Sequence, residues 1–337
     1  MTAVMRLEHA VTPEDGRIAS WRGTAFGLEV RAGAVVHGVA PLPAEGGPGR
    51  VVHLELEQAN AVKEGVRGAA RTSLLLRRFD DGRPMLTIDR YEGLGYGIAA
   101  PRHGRSLVSP DGMRVRSAPT DASVWRSARL LFAQVLPLAA TLQGLELLHA
   151  SAVVVGGMAY GFVAPSGTGK TSLAVNLAAR GAELFTDDVL AVDVSAPRVT
   201  AYPGARLVSV VAREFDALDA EEQRRLGYVV DEADKVQLIS RPASASAPLA
   251  ALYFLRRDSE RGGQIGIRPG AATDPRLLLG ARFITYLTDP DQLLAHLDAT
   301  ARIASDVATF LVDIPRGRGA REVADIVADH LAGGGEG

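Results

Sequence analysis

Apolar and polar positions follow one rhythm in the first third of the chain and another after it. Residues 27–36, 50–56, 72–79, 84–89 and 96–100 alternate or run apolar over short stretches, the period of β-strands. The Pro/Gly-rich residues 41–49 and the turn Asp80-Asp81-Gly82-Arg83 separate them, the latter closing a hairpin. From residue 121 the spacing becomes helical. Trp125, Leu130, Leu131, Val135 and Leu138 fall broadly on one side of a helix over 121–142, which Pro137 should kink and Gly144 should end. An apolar run at 147–155, the pair Gly156-Gly157 and a second run at 158–163 then predict a hairpin with a primed turn. A glycine-rich segment, a helix to Ala179, a stop at Gly181 and a strand at 183–186 complete a strand–helix–strand unit that ends at Asp187-Asp188.

The remainder is less regular. Residues 201–227 hold Arg206 and a helix around 219–226, 231–235 read as an acidic loop, and 241–248 read as a low-complexity loop. Strands are expected at 249–256 and 310–314, and helices at 274–287, 291–304 and 319–331. In the last of these, Val323, Ile326, Val327 and Leu331 share a face. The expected organisation is a β-rich (α+β) domain at 1–120, a connecting helix at 121–144, an α/β domain at 145–332 and a disordered tail at 333–337.

Composition narrows the function. With 337 residues and 47% hydrophobic content the chain can build two cores, at roughly 150 residues each. A net charge of −2, with no run of five like charges, offers no field for nucleic acid or an anionic membrane, so neither is expected as a partner. The absence of cysteine excludes disulfides and thiolate metal sites. No signal-peptide pattern opens the chain, and the most apolar segment, 130–141, is broken by Gln134 and Pro137 and is too short to span a bilayer; a cytoplasmic protein is expected. His9, His37, His53 and His103 show no metal-ligand spacing. Oligomeric state stays open, a homo-oligomer included.

The chemistry concentrates at Ala164-Pro165-Ser166-Gly167-Thr168-Gly169-Lys170-Thr171-Ser172. Gly167 and Gly169 let successive backbone N–H groups turn inward around a phosphate. Lys170 adds a point charge, the following helix aims its positive end at the same place, and Thr171 offers a hydroxyl to Mg²⁺. At this composition Gly-x-Gly-Lys-Ser/Thr should arise by chance only about 0.003 times in the chain. Ala164 stands where such loops usually carry their first glycine, so it should not need a positive φ. The aspartates Asp187 and Asp188 are candidates to hold the metal and to take the proton from an attacking hydroxyl. Neighbouring strand residues face opposite ways, so both can serve only where the strand ends and the backbone turns. Lys63, Lys170 and Lys235 are the only lysines among 37 basic residues, so the positions that keep Lys are candidates to need its compact ammonium.

The set Leu148-His149-Ala150-Ser151-Ala152, Ser166-Gly167-Thr168-Gly169-Lys170-Thr171, Arg180-Gly181 and Asp187-Asp188 resembles the C-terminal catalytic domain of the HPr serine kinase/phosphorylase family. It is similar, more distantly, to ATP-dependent phosphoenolpyruvate carboxykinases. The clear match covers about residues 147–193, with a looser fit to about 331. The resemblance implies a P-loop domain of that type with a mixed sheet, His149 near the site, Asp187 and Asp188 as catalytic and metal aspartates, Lys235 as a cation that would stabilise the transferring phosphoryl group, and phosphorylation of serine. Ser172 stands where those enzymes usually carry Glu, and the N-terminal half does not resemble theirs.

The expected function is an ATP- and Mg²⁺-dependent kinase acting on a hydroxyl, serine by resemblance, of a small protein or peptide. Residues 165–172 would hold the nucleotide, Thr171 and Asp188 the metal, and Asp187, Asp188, His149, Lys170 and Lys235 would carry catalysis. Two other readings stand beside it. One is a small-molecule kinase or carboxykinase, for which no paired Lys and His with an Arg cluster is found. The other is a nucleotide-dependent switch or scaffold in which ATP orders residues 228–248.

Overall fold

The structure, a computed structural model, describes residues 21–43, 47–120, 124–232, 235–257, 263–270 and 275–333. Readings placed on residues 1–20, on Ala233-Asp234 and on 334–337 lie outside them. The architecture is mixed α/β, with two large sheets that contain both parallel and antiparallel joints.

The first sheet is built wholly from residues 21–119. Its nine strands run in the order Ala40–Pro41, Trp21–Ala25, Leu28–Ala32, Val51–Leu56, Arg114–Pro119, Gly104–Val108, Gly95–Ala100, Pro84–Tyr91 and Arg71–Arg78. The first hairpin turns at Phe26-Gly27, with φ of 55° and 71°, the pattern of a primed two-residue turn. Phe26 bears a left-handed backbone that costs about 1–2 kcal/mol. The turn also docks: its ring is buried and its N–H donates to the Pro203 carbonyl at 2.7 Å, so the hairpin is fixed onto the C-terminal half.

The linking helix is interrupted as its proline requires. Val124–Leu130 and Leu136–Leu142 are α-helical, but Leu131–Val135 between them is a π-turn in which the Leu136 N–H reaches back to the Leu131 carbonyl. Pro137 has no N–H to continue the regular ladder, and the widened turn absorbs the loss. Leu131, Phe132, Val135, Leu136 and Leu138 are buried in one cluster with Val52, Ile98 and Val115 of the first sheet and with Leu147, Val189, Ala191 and Leu287 of the second half. One continuous core therefore runs between the two sheets. Arg50 adds a tie across the same junction, 2.8 Å from Asp193.

The second sheet follows the order Glu146–Leu148, Leu190–Asp193, Thr200–Tyr202, Ala247–Arg257, Met158–Val163, Ala150–Val155 and Glu183–Thr186, with Ala308–Ile314 parallel to the outer part of Ala247–Arg257. Its two faces bury alternate residues. Val153, Phe162, Tyr253 and Phe310 pack on one face with Leu173 and Leu177 of helix Lys170–Ala179 and with Val323 and Val327 of helix Ala320–Ala332. Ala152, Val154, Leu252 and Phe254 pack on the other with Ile303 of helix Pro290–Asp306. Burial on both faces makes these strands apolar throughout rather than alternating. A three-stranded sheet, Leu207–Val211, Lys235–Ser240 and Gly227–Glu232, lies beside the first of these faces.

Three expectations change. The run 147–155 is two strands, broken at His149, whose N–H donates to the Ala281 carbonyl at 2.6 Å. The helix expected at 274–287 is only Pro275–Leu279. Beyond it Phe283 donates its N–H to Leu147 and Arg282 bridges Leu148, so the chain is drawn out along a sheet edge. The acidic segment 231–235 is not a loop at its described ends: Asp231 and Glu232 close one strand and Lys235 opens the next.

Candidate active site

Strand Met158–Val163 lies inside the sheet, antiparallel to Ala150–Val155 and parallel to Ala247–Arg257. The turn that sets its register is Gly156-Gly157, with φ of 57° and 77°, positions where a side chain would be strained. The strand therefore delivers the next segment at a fixed place. Ala164 is buried with ordinary backbone angles, while Gly167 and Gly169 adopt φ of 82° and 109° and open the loop. Helix Lys170–Ala179 begins directly after it with Gly169 as its cap. No side chain satisfies that cap, so the first-turn N–H groups and the positive end of the helix are left for an anion. Pro165 and Ser166 are exposed at the loop tip, and Ser172 accepts on its backbone carbonyl from Asn176 within the helix.

Lys170 is only 4% exposed. Its ammonium donates to the Ala164 carbonyl at 2.7 Å and lies 3.2 Å from His149 Nε2. Burial lowers its pKa from the usual lysine value, with Asp188 and Asp187 acting in the opposite sense. The His149 pKa is lowered too, first by burial and then by the Lys170 charge. A neutral imidazole accepting from the ammonium through Nε2 satisfies both groups. Phe283 holds the ring edge-to-face at 5.9 Å, and the strand break at His149 places that ring at the loop.

Strand Glu183–Thr186 is parallel to Met158–Val163 with Ala150–Val155 between them, so the helix crosses over one intervening strand. Asp187 and Asp188 occupy the bend at its end, and Asp188 has a φ of 63°. Thr186 Oγ1 donates to the Val189 carbonyl at 2.6 Å and closes the bend from beneath. Asp187 Oδ1 accepts from Thr171 Oγ1 at 2.6 Å and from Ser151 Oγ at 3.1 Å. The Ser209 backbone N–H also supports this carboxylate. Burial, and next the Asp188 charge, nonetheless raise the Asp187 pKa to about 6, against the pull of these hydrogen bonds. Asp188 is exposed, and its charge acts on Lys170, His149 and Asp187.

The fold thus gathers His149, Lys170, Thr171, Asp187 and Asp188 at one end of the sheet. Lys235 is exposed at the start of its strand, opposite Val211 and two register positions from Ser209, and its side chain makes no hydrogen bond or ion pair with those five among the described residues. Three further contributors were not singled out from sequence. Ser151 stands two residues after His149, a spacing that could have suggested a shared face. The Ser209 N–H and Arg257, which donates through Nε to the Thr168 carbonyl at 2.6 Å and through Nη1 to Arg318, come from distant strands.

No family model and no curated protein matches the chain. Among solved structures it is similar to the HPr(Ser) kinase/phosphatase from Coxiella burnetii. The sequence identity is 10% and the TM-score 0.32, over 57% of this chain and 99% of that one. So distant a likeness lends no support to a shared activity.

The geometry itself combines donors for an anion with a hydroxyl and a carboxylate for a cation. Among the described residues no group of three or more His, Asp or Glu side chains could hold a metal. A single carboxylate with one hydroxyl is the small protein share that Mg²⁺ takes when phosphate and water complete its shell. Among the described residues no helix is long and apolar enough to cross a membrane.

Proposed function

We propose that this chain is a kinase that binds Mg²⁺-ATP at residues 165–172 and transfers the γ-phosphoryl group to a hydroxyl of a protein or peptide. Serine as the acceptor follows from the motif resemblance alone. The observation that carries the reading is the 2.6 Å hydrogen bond from Thr171 to Asp187, set at the start of the helix that also presents Lys170. It favours Asp187, rather than Asp188, as the carboxylate that joins Thr171 at the metal. When bound there, Mg²⁺ would supply positive charge to the phosphoryl oxygens.

The remaining roles follow from position. The loop N–H groups and the buried Lys170 ammonium bind and orient the polyphosphate. His149 holds Lys170 in position as a neutral acceptor. Asp188, exposed on a left-handed backbone at the end of the strand, takes the proton of the incoming hydroxyl. A strained residue of this kind at the rim of a site is an arrangement that a function maintains.

The test is incubation of the full chain with γ-labelled ATP and a panel of serine-containing peptides. Transfer of label that stops when Lys170 is replaced with methionine is the expected result. Nucleotide-dependent peptide binding without transfer would replace the kinase with a switch.

A further inference from the structure

A cleft of about 190 Å³ lies along the edge of strand Glu183–Thr186, where the two halves of the chain meet. Ala40 of the first sheet and Leu42 just past its strand line it on one side, Phe185 and Thr186 of the second sheet on another, and Arg206 and Arg241 complete it from just before Leu207–Val211 and just after Lys235–Ser240 of the three-stranded sheet. Thr186 is the residue before Asp187, so the cleft adjoins the bend that carries both aspartates. Nucleotide-sized pockets occupy roughly 300–1,000 Å³; this one has room for one or two side chains.

Arg206 is held there at three points. Its backbone N–H donates to Gly38 at 2.7 Å, its carbonyl accepts from Ser240 at 2.8 Å, and its Nε donates to the Ser240 carbonyl at 2.7 Å. These bonds fix the guanidinium and leave its two terminal nitrogens uncommitted. The side chain is half-buried, and among the described residues no carboxylate pairs with it. Burial lowers its pKa from the usual arginine value. A guanidinium fixed, partly desolvated and without a counter-ion is prepared for an anion from outside. Arg241, exposed and bonded through Nε to the Arg224 carbonyl, adds a second positive charge at the mouth.

We infer that this cleft seats the acceptor of the proposed kinase: a peptide segment with a carboxylate close to the target hydroxyl, the carboxylate gripped by Arg206 and an apolar neighbour lodged against Leu42 and Phe185. The inference rests on the kinase reading for the word acceptor and on the cleft for the chemistry. It also gives the N-terminal sheet a task, since that sheet forms one wall.

The experiment uses the full chain on an array of serine-containing octapeptides with acidic, neutral or basic flanks. One set carries internal Glu and an amidated end, another carries Gln and a free terminal carboxylate. Retention that favours a carboxylate, and that falls roughly tenfold to a hundredfold in Arg206→Gln but less in Arg206→Lys, is expected from the loss of charge-assisted hydrogen bonds. The two sets show whether a side chain or a chain terminus supplies the anion, and equal melting temperatures establish that the variants fold. No preference for carboxylates, or the same preference in Arg206→Gln, overturns the inference. Titration of the wild type with Mg²⁺-ATP separates the two failures. Nucleotide binding without peptide preference sinks the cleft alone, and peptide preference without nucleotide binding sinks the kinase alone.

Discussion

Replacing Asp187 with asparagine separates what the carboxylate costs the fold from what it does for a cation. Burial and the neighbouring Asp188 lift this group from 3.8 to about 6. About two units at about 1.4 kcal/mol each set a ceiling of about 3 kcal/mol. Asp187 keeps some contact with solvent, and asparagine offers one acceptor oxygen where the carboxylate offers two to Thr171, Ser151 and the Ser209 N–H, which removes about 1 kcal/mol of the gain. Roughly 1–2 kcal/mol remains. A folded pKa above the unfolded one means that the proton is held more tightly in the native state. Its stabilisation is complete below about pH 4 and is lost as pH rises through about 6. In urea unfolding without metal, Asp187→Asn should therefore be the more stable protein at about pH 8, and the gap should close near about pH 4. Mg²⁺-ATP at about pH 8 should reverse the order, because only the wild type retains the carboxylate. A wild type that is the more stable at about pH 8 without metal, or a gap that ignores pH, would refute the reasoning.

Other expectations follow from single backbone and packing features. Asp188→Asn, which tolerates the left-handed φ of 63°, should melt like the wild type yet lose about 10²- to 10⁴-fold in phosphoryl transfer; Asp188→Val should lose about 1–2 kcal/mol of stability as well. At Gly169, with φ of 109°, an alanine Cβ would lie 3.2 Å from Arg257 Nη2. Gly169→Ala should cost about 1–2 kcal/mol in thermal unfolding and weaken nucleotide binding, and an unchanged affinity would separate this turn from the phosphate site. At Gly204 the added Cβ would come within 2.0 Å of Thr186 Oγ1, the hydroxyl that closes the aspartate bend. Gly204→Ala should destabilise by about 1–3 kcal/mol, and an unaltered melting temperature would contradict that packing.

What could be read from the sequence was local. The Gly156-Gly157 hairpin, the loop at 164–169, the helix after it and the aspartates at the end of a strand are specified within a few residues by turn chemistry and periodicity. Ala164 avoids positive φ, as its side chain requires. What escaped was set by contacts distant in sequence. The break at His149 is invisible in a continuous apolar run because the Ala281 carbonyl imposes it. The segment after Leu279 has helical spacing but pairs with Leu147 and Leu148, so edge hydrogen bonds override propensity. Acidic residues at 231–232 suggest a solvated loop, yet an exposed outer strand accommodates them equally well. Ser209 and Arg257 reach the aspartates and the loop, respectively, only through sheet topology, for which a single sequence holds no local signal.

Calorimetric titration of the full chain with ATP, in Mg²⁺ and again in EDTA, bears most directly on the claim that Thr171 and Asp187 join a polyphosphate cradle to a metal. Saturable binding that weakens at least about tenfold without Mg²⁺, and that loses this Mg²⁺ dependence in Thr171→Val and Asp187→Asn, is the predicted result. A folded wild type with no saturable binding, or with one affinity in Mg²⁺ and EDTA alike, would contradict it.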